Sequence, residues 1–176
     1  GGQVGVALAR VLSTAAVSLC INVRVGETLG MAQRGGPVES HVRFGEEVYG
    51  PLIPYGGTDV LLSLEPGESL RAAKYLGKRT KVIVNTSPSP PVPVLLKEAR
   101  YPNMDEIVQR LGRIVAAIYQ IDATEIARKV GATESMNIVV LGAYQSLDEP
   151  ILPLAAIREA LSEILPRRYL DANLKA

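Results

Sequence analysis

Two residue types that build metal and redox sites are almost absent from this sequence, which contains one cysteine, Cys20, and one histidine, His41. One cysteine cannot form an internal disulfide. The two residues together are too few for a four-thiolate iron–sulfur site or a Cys/His zinc site. We therefore expect no metal site in this chain, no catalytic residue of the nucleophilic Cys–His type, and no electron transfer on its own ligands.

Neither sign of charge is in excess. Lys and Arg total 19 and Asp and Glu total 18, so the formal net charge is +1. A protein that binds a nucleic-acid backbone carries a clear basic excess, so we expect no nucleic-acid partner. The sequence has no apolar run of membrane-spanning length, and it opens at Gly1 without the basic start of a signal peptide. We expect a cytoplasmic protein without a membrane partner.

Apolar runs of strand length alternate with helical patterns. Asp59–Leu64 and Lys81–Asn85 are predicted to be strands covered on both faces, and Val115–Ile121 to be a third strand. Apolar residues make up 47% of the 176-residue chain, enough for one core of domain size. The pattern predicts an α/β fold, namely a single three-layer α/β/α domain over residues 1–176 with a mainly parallel sheet.

Helical spacing and capping residues predict the remaining elements. Helices are predicted at Val6–Leu19, Glu68–Leu76, Asn103–Gly112, Asp122–Gly131, Met136–Leu147 and Leu154–Leu165. Short strands are predicted at Ile21–Val25 and Val38–Phe44, a returning strand at Val48–Tyr49, and a short docked tail at Leu170–Ala176.

Two glycine-rich segments are candidate ligand sites. Gly2, Gln3 and Gly5 precede the first predicted helix, where backbone N–H groups can approach an anion. The pattern is not a G-x-G-x-x-G, so these residues are either an anion-binding turn or a ragged chain end.

The second segment contains Thr28, Gln33, Arg34, Gly35 and Gly36. Arg34 beside two glycines can combine a bidentate donor with a backbone nest for phosphate or carboxylate. The alternative is a surface loop whose glycines only permit tight turns.

Three further positions have a structural and a functional interpretation. His41 lies in a predicted strand without a cysteine partner, which favours a packed or solvated residue over a catalyst. Glu65 and Asn85 follow predicted strands, where α/β proteins bind ligands, but the same residues commonly cap the next helix.

Several blocks of the sequence together resemble a known family. They are Gly1–Gln3 with the first helix, Gly26–Val38, Ser40–Arg43, Asp122–Glu125, and Met136–Ile138 with Leu141 and Gly142. These blocks resemble the gamma subunit or gamma domain of 2-oxoacid:ferredoxin oxidoreductases. The residue sequences of Glu27–Met31 and Ser40–Arg43 favour the indolepyruvate beta-subunit type. The family's Gly-Gly-Gln-Gly-Val pattern is interrupted here by Val4, and the strand that precedes it in the family is missing from this sequence.

The resemblance implies a small subunit that works in complex with a large catalytic subunit. Thiamine diphosphate, magnesium and iron–sulfur clusters would belong to that partner, electrons would pass on to ferredoxin, and an acyl-CoA would form. This chain would bind none of those cofactors and would supply structural closure, with coenzyme A as a possible ligand. Two alternatives are a stand-alone nucleotide- or acyl-CoA-binding α/β protein and a purely structural interaction subunit.

The scarcity of cysteine and histidine leads to a direct prediction. The purified, untagged chain should be colourless and should show no oxidoreductase activity, because it has too few ligands for a cluster. Visible absorption spectroscopy and a dye-reduction assay check this. An iron–sulfur band from the pure chain would contradict it.

Overall fold

A computed structural model gives the fold of residues 2–27, 38–90, 92–96, 100–148 and 150–176, without the side chains of residues 2–6, 92, 93 and 133. The described chain is mixed α/β and forms two compact units. Unit 1 comprises Gly1–Ile53 and Ile126–Ala176, and unit 2 comprises Pro54–Glu125.

Within the described ranges, the elements are five strands and a series of helices. In order they are α1 (Gly2–Ser18), β1 (Val23–Glu27), β2 (Ser40–Phe44), β3 (Val60–Ser63), α2 (Pro66–Arg71), β4 (Lys81–Asn85), α3 (Val92–Leu95), α4 (Met104–Leu111), β5 (Ala117–Ile121), α5 (Ala123–Lys129), α6 (Met136–Gln145), α7 (Leu154–Ile164) and α8 (Arg167–Lys175). Turns of 3₁₀-helix cover Ala72–Tyr75 and Thr133–Ser135.

Unit 1 is organised around α1, which packs against the β1–β2 pair and against α6 and α7. The helix buries a stripe of small and apolar side chains at helical spacing, consisting of Leu8, Ala9, Val11, Leu12, Ala15 and Ala16. Strands β1 and β2 pair antiparallel, from Val23 opposite Phe44 to Glu27 opposite Ser40. A two-stranded pair is marginal by itself in water, so its packing against α1 stabilises it.

Unit 2 contains a parallel sheet in the order β3-β4-β5. The central strand is buried on both faces, because Val82, Ile83 and Val84 are at most 1% exposed. The core of one face joins the sheet to α4 and α2. It consists of Leu76, Val82, Val84, Ile107 and Leu111, with Leu61, Leu70, Met104 and Ile118 among the residues packed against it.

Local capping chemistry sets the start of α4. The Asn103 side chain accepts a hydrogen bond from the Glu106 N–H at 2.9 Å, and the Glu106 carboxylate accepts one from the Asn103 N–H at 3.1 Å. These reciprocal bonds form the predicted capping box and satisfy two N–H groups that the helix leaves without partners. The hydrogen bond from the Asn103 backbone lowers the pKa of the Glu106 carboxyl.

A left-handed residue ends α1 and turns the chain into β1. Cys20 has a φ of 57°. The Ile21 N–H donates to the Ala16 carbonyl at 2.9 Å, and the Cys20 N–H donates to the Val17 carbonyl at 3.0 Å. This is the Schellman arrangement, in which glycine usually occupies the left-handed position.

The strands predicted at Asp59–Leu64, Lys81–Asn85 and Val115–Ile121 are confirmed, and they pair in parallel. The predicted returning strand at Val48–Tyr49 is wrong, because the carbonyls that follow it accept hydrogen bonds from an arginine side chain instead of a strand. The predicted tail Leu170–Ala176 lies largely within helix α8. A single domain over residues 1–176 stays a prediction.

The first strands also differ from a purely parallel sheet, since β1 and β2 form a separate antiparallel pair. Their connection matches this pairing. Glu27 lies opposite Ser40, so the twelve residues from 28 to 39 join adjacent strand ends, as in a hairpin.

The α1 turn gives a stability prediction. Replacing Cys20 with glycine removes the steric cost of a Cβ in the left-handed region, so Cys20→Gly should raise the free energy of unfolding by about 1 kcal/mol. Urea denaturation of the full chain measures the change. Cys20→Ala, which retains the Cβ, is the matched control and should differ from the parent by less than about 0.5 kcal/mol. An equal gain in both variants would show that the thiol, not the backbone conformation, limits stability.

Candidate functional site

The β1–β2 hairpin carries the segment in which the sequence predicts a ligand site. The last pair of the ladder is Glu27 opposite Ser40, so residues 28–37 leave the hairpin at this end. Of the predicted site residues, Thr28, Gln33, Arg34, Gly35 and Gly36 lie outside the described residues. The structure therefore describes the base of this segment.

The other half of the predicted site belongs to the same unit, in helix α1. Four residues separate α1 from β1 and both strands pack against α1, so β1 runs back along the helix. The 17-residue helix is about 25 Å long and the five-residue strand about 16 Å.

Gly2, Gln3 and Gly5 themselves lie within α1. Their backbone is helical from Gly2 onward, so the anion-binding turn expected before the helix is not formed by these residues. The side chain of Gln3 is not described. Their part of the prediction reduces to a position in the first turns of α1.

One face of the hairpin holds the segment Gly50–Ile53, here called the strap. The Arg43 guanidinium donates to the Gly50 carbonyl at 2.8 Å and to the Leu52 carbonyl at 3.3 Å. The Ile53 N–H donates to Nδ1 of His41 at 3.2 Å. His41 is buried, with 4% of its surface exposed, which confirms the interpretation of a packed residue.

A glycine permits this close approach. Gly26 lies directly opposite His41 in the ladder, so both belong to the same face. A Cβ on Gly26 would stand 3.0 Å from the Pro51 Cβ and 3.2 Å from the Leu52 Cδ2. Because real Cβ contacts are rarely this short, a side chain at position 26 would require Pro51 and Leu52 to shift by a few tenths of an ångström.

In unit 2, a buried amide connects the carboxyl ends of all three parallel strands. Asn85, at the end of β4, is 1% exposed. Its Nδ2 donates to the Leu64 carbonyl at 3.1 Å after β3 and to the Thr124 Oγ1 at 3.2 Å after β5. Its Oδ1 accepts from the Ala123 N–H at 3.0 Å. The amide thereby ties the three strand ends together at the edge where α/β sheets commonly bind ligands.

Glu65 closes the same edge of the sheet on the β3 side. Its carboxylate accepts from the Glu68 N–H at 2.9 Å, which caps α2, and from the Ser89 N–H at 3.3 Å. It also accepts a hydrogen bond from the Tyr101 hydroxyl, whose oxygen accepts from the Gly67 N–H at 3.0 Å. Burial, reinforced by the hydrogen bond to Glu65, raises the pKa of Tyr101.

Asp122 has the equivalent position after β5. Its carboxylate accepts from the Glu125 N–H at 2.9 Å, capping α5, and from the Ser87 hydroxyl at 2.9 Å. The predicted capping start at this position is confirmed. Both acidic residues at this edge therefore combine a helix cap with an anchor for the segment that follows β4.

Tyr101 was not among the residues selected from the sequence. It is separated from Glu65 by 36 positions, and no periodicity or motif joins the two. The proline-rich stretch before it gives the only local signal, because such a stretch must be anchored at both ends to remain ordered. Glu65 and Asn85 were expected either to bind a ligand or to cap the next helix. Glu65 caps α2, whereas Asn85 joins the ends of the three strands and accepts a hydrogen bond from the first N–H of α5.

Across the described ranges, the side chains of His, Cys, Asp and Glu form no group of three or more that could hold a metal ion. Nor is any helix in those ranges both long enough and apolar enough to cross a membrane.

A protein-family model described as pyruvate ferredoxin/flavodoxin oxidoreductase matches residues 1–176. The chain belongs to this family. The pyruvate ferredoxin/flavodoxin oxidoreductase family comprises oxidoreductases, so the chain is an oxidoreductase subunit, and the resemblance noted from the sequence blocks is confirmed.

Curated relatives extend over the whole chain. The indolepyruvate oxidoreductase subunit IorB of Archaeoglobus fulgidus is 42% identical over 176 residues, covering 100% of this chain and 87% of the relative. The subunit of the same name from Pyrococcus horikoshii is 39% identical over 183 residues and is covered to 88%. Among solved structures, the keto/oxoacid ferredoxin oxidoreductase gamma subunit of Geobacter sulfurreducens has a TM-score of 0.68 at 20% identity, with 99% of this chain and 88% of that chain covered. This last similarity supports the fold.

The buried tyrosines give a titration prediction. Burial raises the pKa values of Tyr101 and Tyr144 above the ordinary value of a tyrosine. Since the unfolded phenol ionises near pH 10, the stability contributed by Tyr101 is complete below about pH 10 and declines as the pH rises further. Ultraviolet absorbance measured at rising pH should show that some tyrosines of the native chain ionise only at a pH above the ordinary tyrosine range. Tyr101→Phe should remove one of these late-ionising tyrosines, whereas Tyr144 should remain. An unchanged number of late-ionising tyrosines in Tyr101→Phe would show that Tyr101 is not one of them.

Proposed function

We propose that this chain is the small subunit of a thiamine-diphosphate-dependent indolepyruvate:ferredoxin oxidoreductase that also accepts related aryl pyruvates. The observation that carries the proposal is the full-length match to subunits named for indolepyruvate at 42% and 39% identity. The sequence blocks at Glu27–Met31 and Ser40–Arg43 favour the same type. The reaction is the oxidative decarboxylation of the oxoacid to an acyl-CoA.

The proposed division of labour follows from the ligands that the chain has. Thiamine diphosphate, magnesium and the iron–sulfur clusters are assigned to the large subunit, which passes electrons to ferredoxin. One cysteine and one histidine in the whole sequence support this assignment. We place the complex in the cytoplasm and expect a hetero-oligomer.

The contribution of this chain is proposed to lie at the open end of the hairpin. Arg34, with Gln33, Gly35 and Gly36, is proposed to hold an anionic group of coenzyme A or of the oxoacid. A planar guanidinium binds phosphate or carboxylate in a bidentate manner that lysine cannot reproduce. Gly2, Gln3 and Gly5 are proposed to share this anionic site, because they lie in the first turns of α1 and a helix N-terminus attracts anions.

The alternative of a stand-alone nucleotide-binding α/β protein places its ligand in the crevice at the carboxyl ends of the parallel strands. In unit 2 the amide of Asn85 and the carboxylates of Glu65 and Asp122 fill this edge with internal hydrogen bonds. A ligand there would have to displace them. This arrangement favours the subunit proposal.

The fold proposal is a three-layer α/β/α domain. Helices α2 and α4 cover one face of the parallel sheet. Ile83 points to the opposite face of β4 and is 1% exposed, which supports a second covering layer.

Co-expression with the large subunit tests the function. The complex should reduce ferredoxin with indolepyruvate and coenzyme A, and should do so faster than with aliphatic oxoacids. In the complex, Arg34→Ala should raise the KM of the ligand that Arg34 holds by about 10- to 150-fold, because a charge-assisted hydrogen bond contributes roughly 1.5–3 kcal/mol.

Two variants control for this result. Arg34→Lys retains the charge and should recover only part of the affinity. Arg158→Ala removes an exposed arginine from α7 and should leave both KM values unchanged. If Arg34→Ala leaves both KM values unchanged but weakens subunit association, the loop is an interface element and the ligand proposal is wrong. If the parent complex shows no oxoacid-dependent reduction of ferredoxin, the proposed function itself is wrong.

A further inference from the structure

We propose that the amino edge of the parallel sheet in unit 2 is a docking surface for an acidic patch on the large subunit. Three segments form this edge, which is here called the basic edge: 54–59 before β3, 74–81 before β4 and 110–116 before β5. The inference rests on the proposed function, because it takes the large subunit as the partner. The basic edge itself is formed entirely by described residues of one unit.

Charge in unit 2 is segregated between the two edges of the sheet. The segments at the carboxyl edge, 64–68, 103–106 and 122–125, contain six acidic residues and no basic one. The basic edge contains one acidic residue, Asp59, and six basic residues, namely Lys74, Lys78, Arg79, Lys81, Arg110 and Arg113. The formal charge of +1 for the whole chain therefore conceals a surface with a positive potential that can attract carboxylates.

Hydrogen bonds fix the three segments of the basic edge side by side. Thr80 is fully buried, and its hydroxyl donates to the Thr58 carbonyl at 2.6 Å. The Ala116 N–H donates to the Thr80 carbonyl at 2.9 Å. The Lys78 ammonium donates to the Arg113 carbonyl at 3.0 Å. The charged side chains are therefore carried by one connected framework and not by independent loops.

Helix dipoles account for only part of this charge. Arg110 lies in the last turn of α4, where a cation interacts favourably with the carbonyl end of the helix. Lys78, Arg79 and Arg113 are exposed and lie in turns outside the helices. Within the part of the chain that the structure describes, neither Arg79 nor Arg113 forms an ion pair. Cations that are brought together in this way repel one another, and the carboxylates of a partner would offset the repulsion.

Two tyrosines give the basic edge the composition of a protein interface. Tyr55 is 77% exposed, and its ring centroid lies 5.7 Å from that of Tyr75. The Lys74 ammonium lies 4.8 Å from the Tyr75 centroid. Tyrosine and arginine are enriched among the residues that contribute most to protein–protein binding. A small anion would use the cations alone, whereas a protein surface would also cover Tyr55, so this composition favours a protein partner.

The kinetics of association with the large subunit test the basic edge. The double variant Arg79→Glu/Arg113→Glu should lower the association rate constant about tenfold at low salt and should flatten its salt dependence, because charge steers the encounter. Arg79→Lys/Arg113→Lys retains the charge and should stay within about twofold of the parent. Tyr55→Ala should raise the dissociation rate constant about fivefold, since truncation of a buried interface tyrosine commonly has an effect of this size. Biolayer interferometry with the immobilised large subunit measures both constants.

A matched control separates a local surface from net charge. Arg158→Glu/Lys175→Glu makes the same change of charge on exposed residues of unit 1, and its association rate constant should stay within about twofold of the parent. Circular dichroism of each variant checks that it folds. If the reversal of Arg79 and Arg113 prevents folding, Arg79→Gln/Arg113→Gln replaces it in the same measurement.

Chemical cross-linking identifies what covers the basic edge. A carbodiimide joins an ammonium directly to a carboxylate without a spacer. In the complex, mass spectrometry should find Lys78 joined to Asp or Glu residues of the large subunit, whereas Lys175 should not be joined to them. Cross-links of the large subunit to Lys175 and none to Lys78 would overturn the proposal.

The remaining outcomes distinguish this surface from the proposed function. Parental association rates in Arg79→Glu/Arg113→Glu, or equal slowing in the unit-1 control, would overturn the docking surface, while indolepyruvate-dependent reduction of ferredoxin by the parent complex would leave the proposed function intact. Association that depends on the basic edge in a complex without that activity would have the opposite meaning. If sedimentation shows that the isolated chain self-associates at low salt and that the reversal abolishes this, a second copy is the occupant and the proposal is wrong. A parent chain that does not bind the large subunit would overturn both.

Discussion

The side-chain amide of Asn85 is the interaction on which the arrangement of unit 2 depends. It is buried at the end of the central strand, and its donors and acceptor meet backbone or hydroxyl groups that follow both neighbouring strands. A buried amide is stable only if its hydrogen bonds are made, so the three strand ends must keep their relative positions. The ends of the strands then fix where α2 and α5 begin, because Glu65 and Asp122 cap those helices from adjacent positions.

The hydrogen bonds of Asn85, Glu65 and Asp122 change how the polar residues at the carboxyl edge of the sheet are interpreted. The carboxyl edge of a parallel sheet is the usual ligand site in α/β proteins, and polar residues after each strand commonly mark it. Here such residues are present but are bonded to one another and to the backbone. Polar residues after strands therefore identify the edge correctly without identifying a ligand site, and only their partners distinguish the two cases.

Elements that depend on local chemistry could be predicted from the sequence. The strand Lys81–Asn85 is bounded by a turn and by prolines, and the α4 capping box needs only Asn103 and Glu106 three residues apart. Interactions between distant segments could not be predicted. Nothing near Arg43 indicates that it binds the carbonyls of Gly50 and Leu52, and nothing near Glu65 indicates Tyr101. The family was identified from the exact residue sequence of blocks such as Gln33–Gly36. Such a sequence reflects common ancestry, which hydrophobic patterns and capping rules do not reveal.

The left-handed turn at Cys20 has a practical consequence for work on the assembly. Cys20 is the single thiol of the chain, it is exposed, and its backbone is fixed by the bonds that end α1. It stands between α1 and β1, whereas residues 28–37 leave from the other end of β1. A fluorophore attached there by maleimide chemistry would label a single position, at the end of β1 opposite to Glu27. Its emission anisotropy could therefore report the association of the subunits while the ligand-binding end remains chemically unaltered.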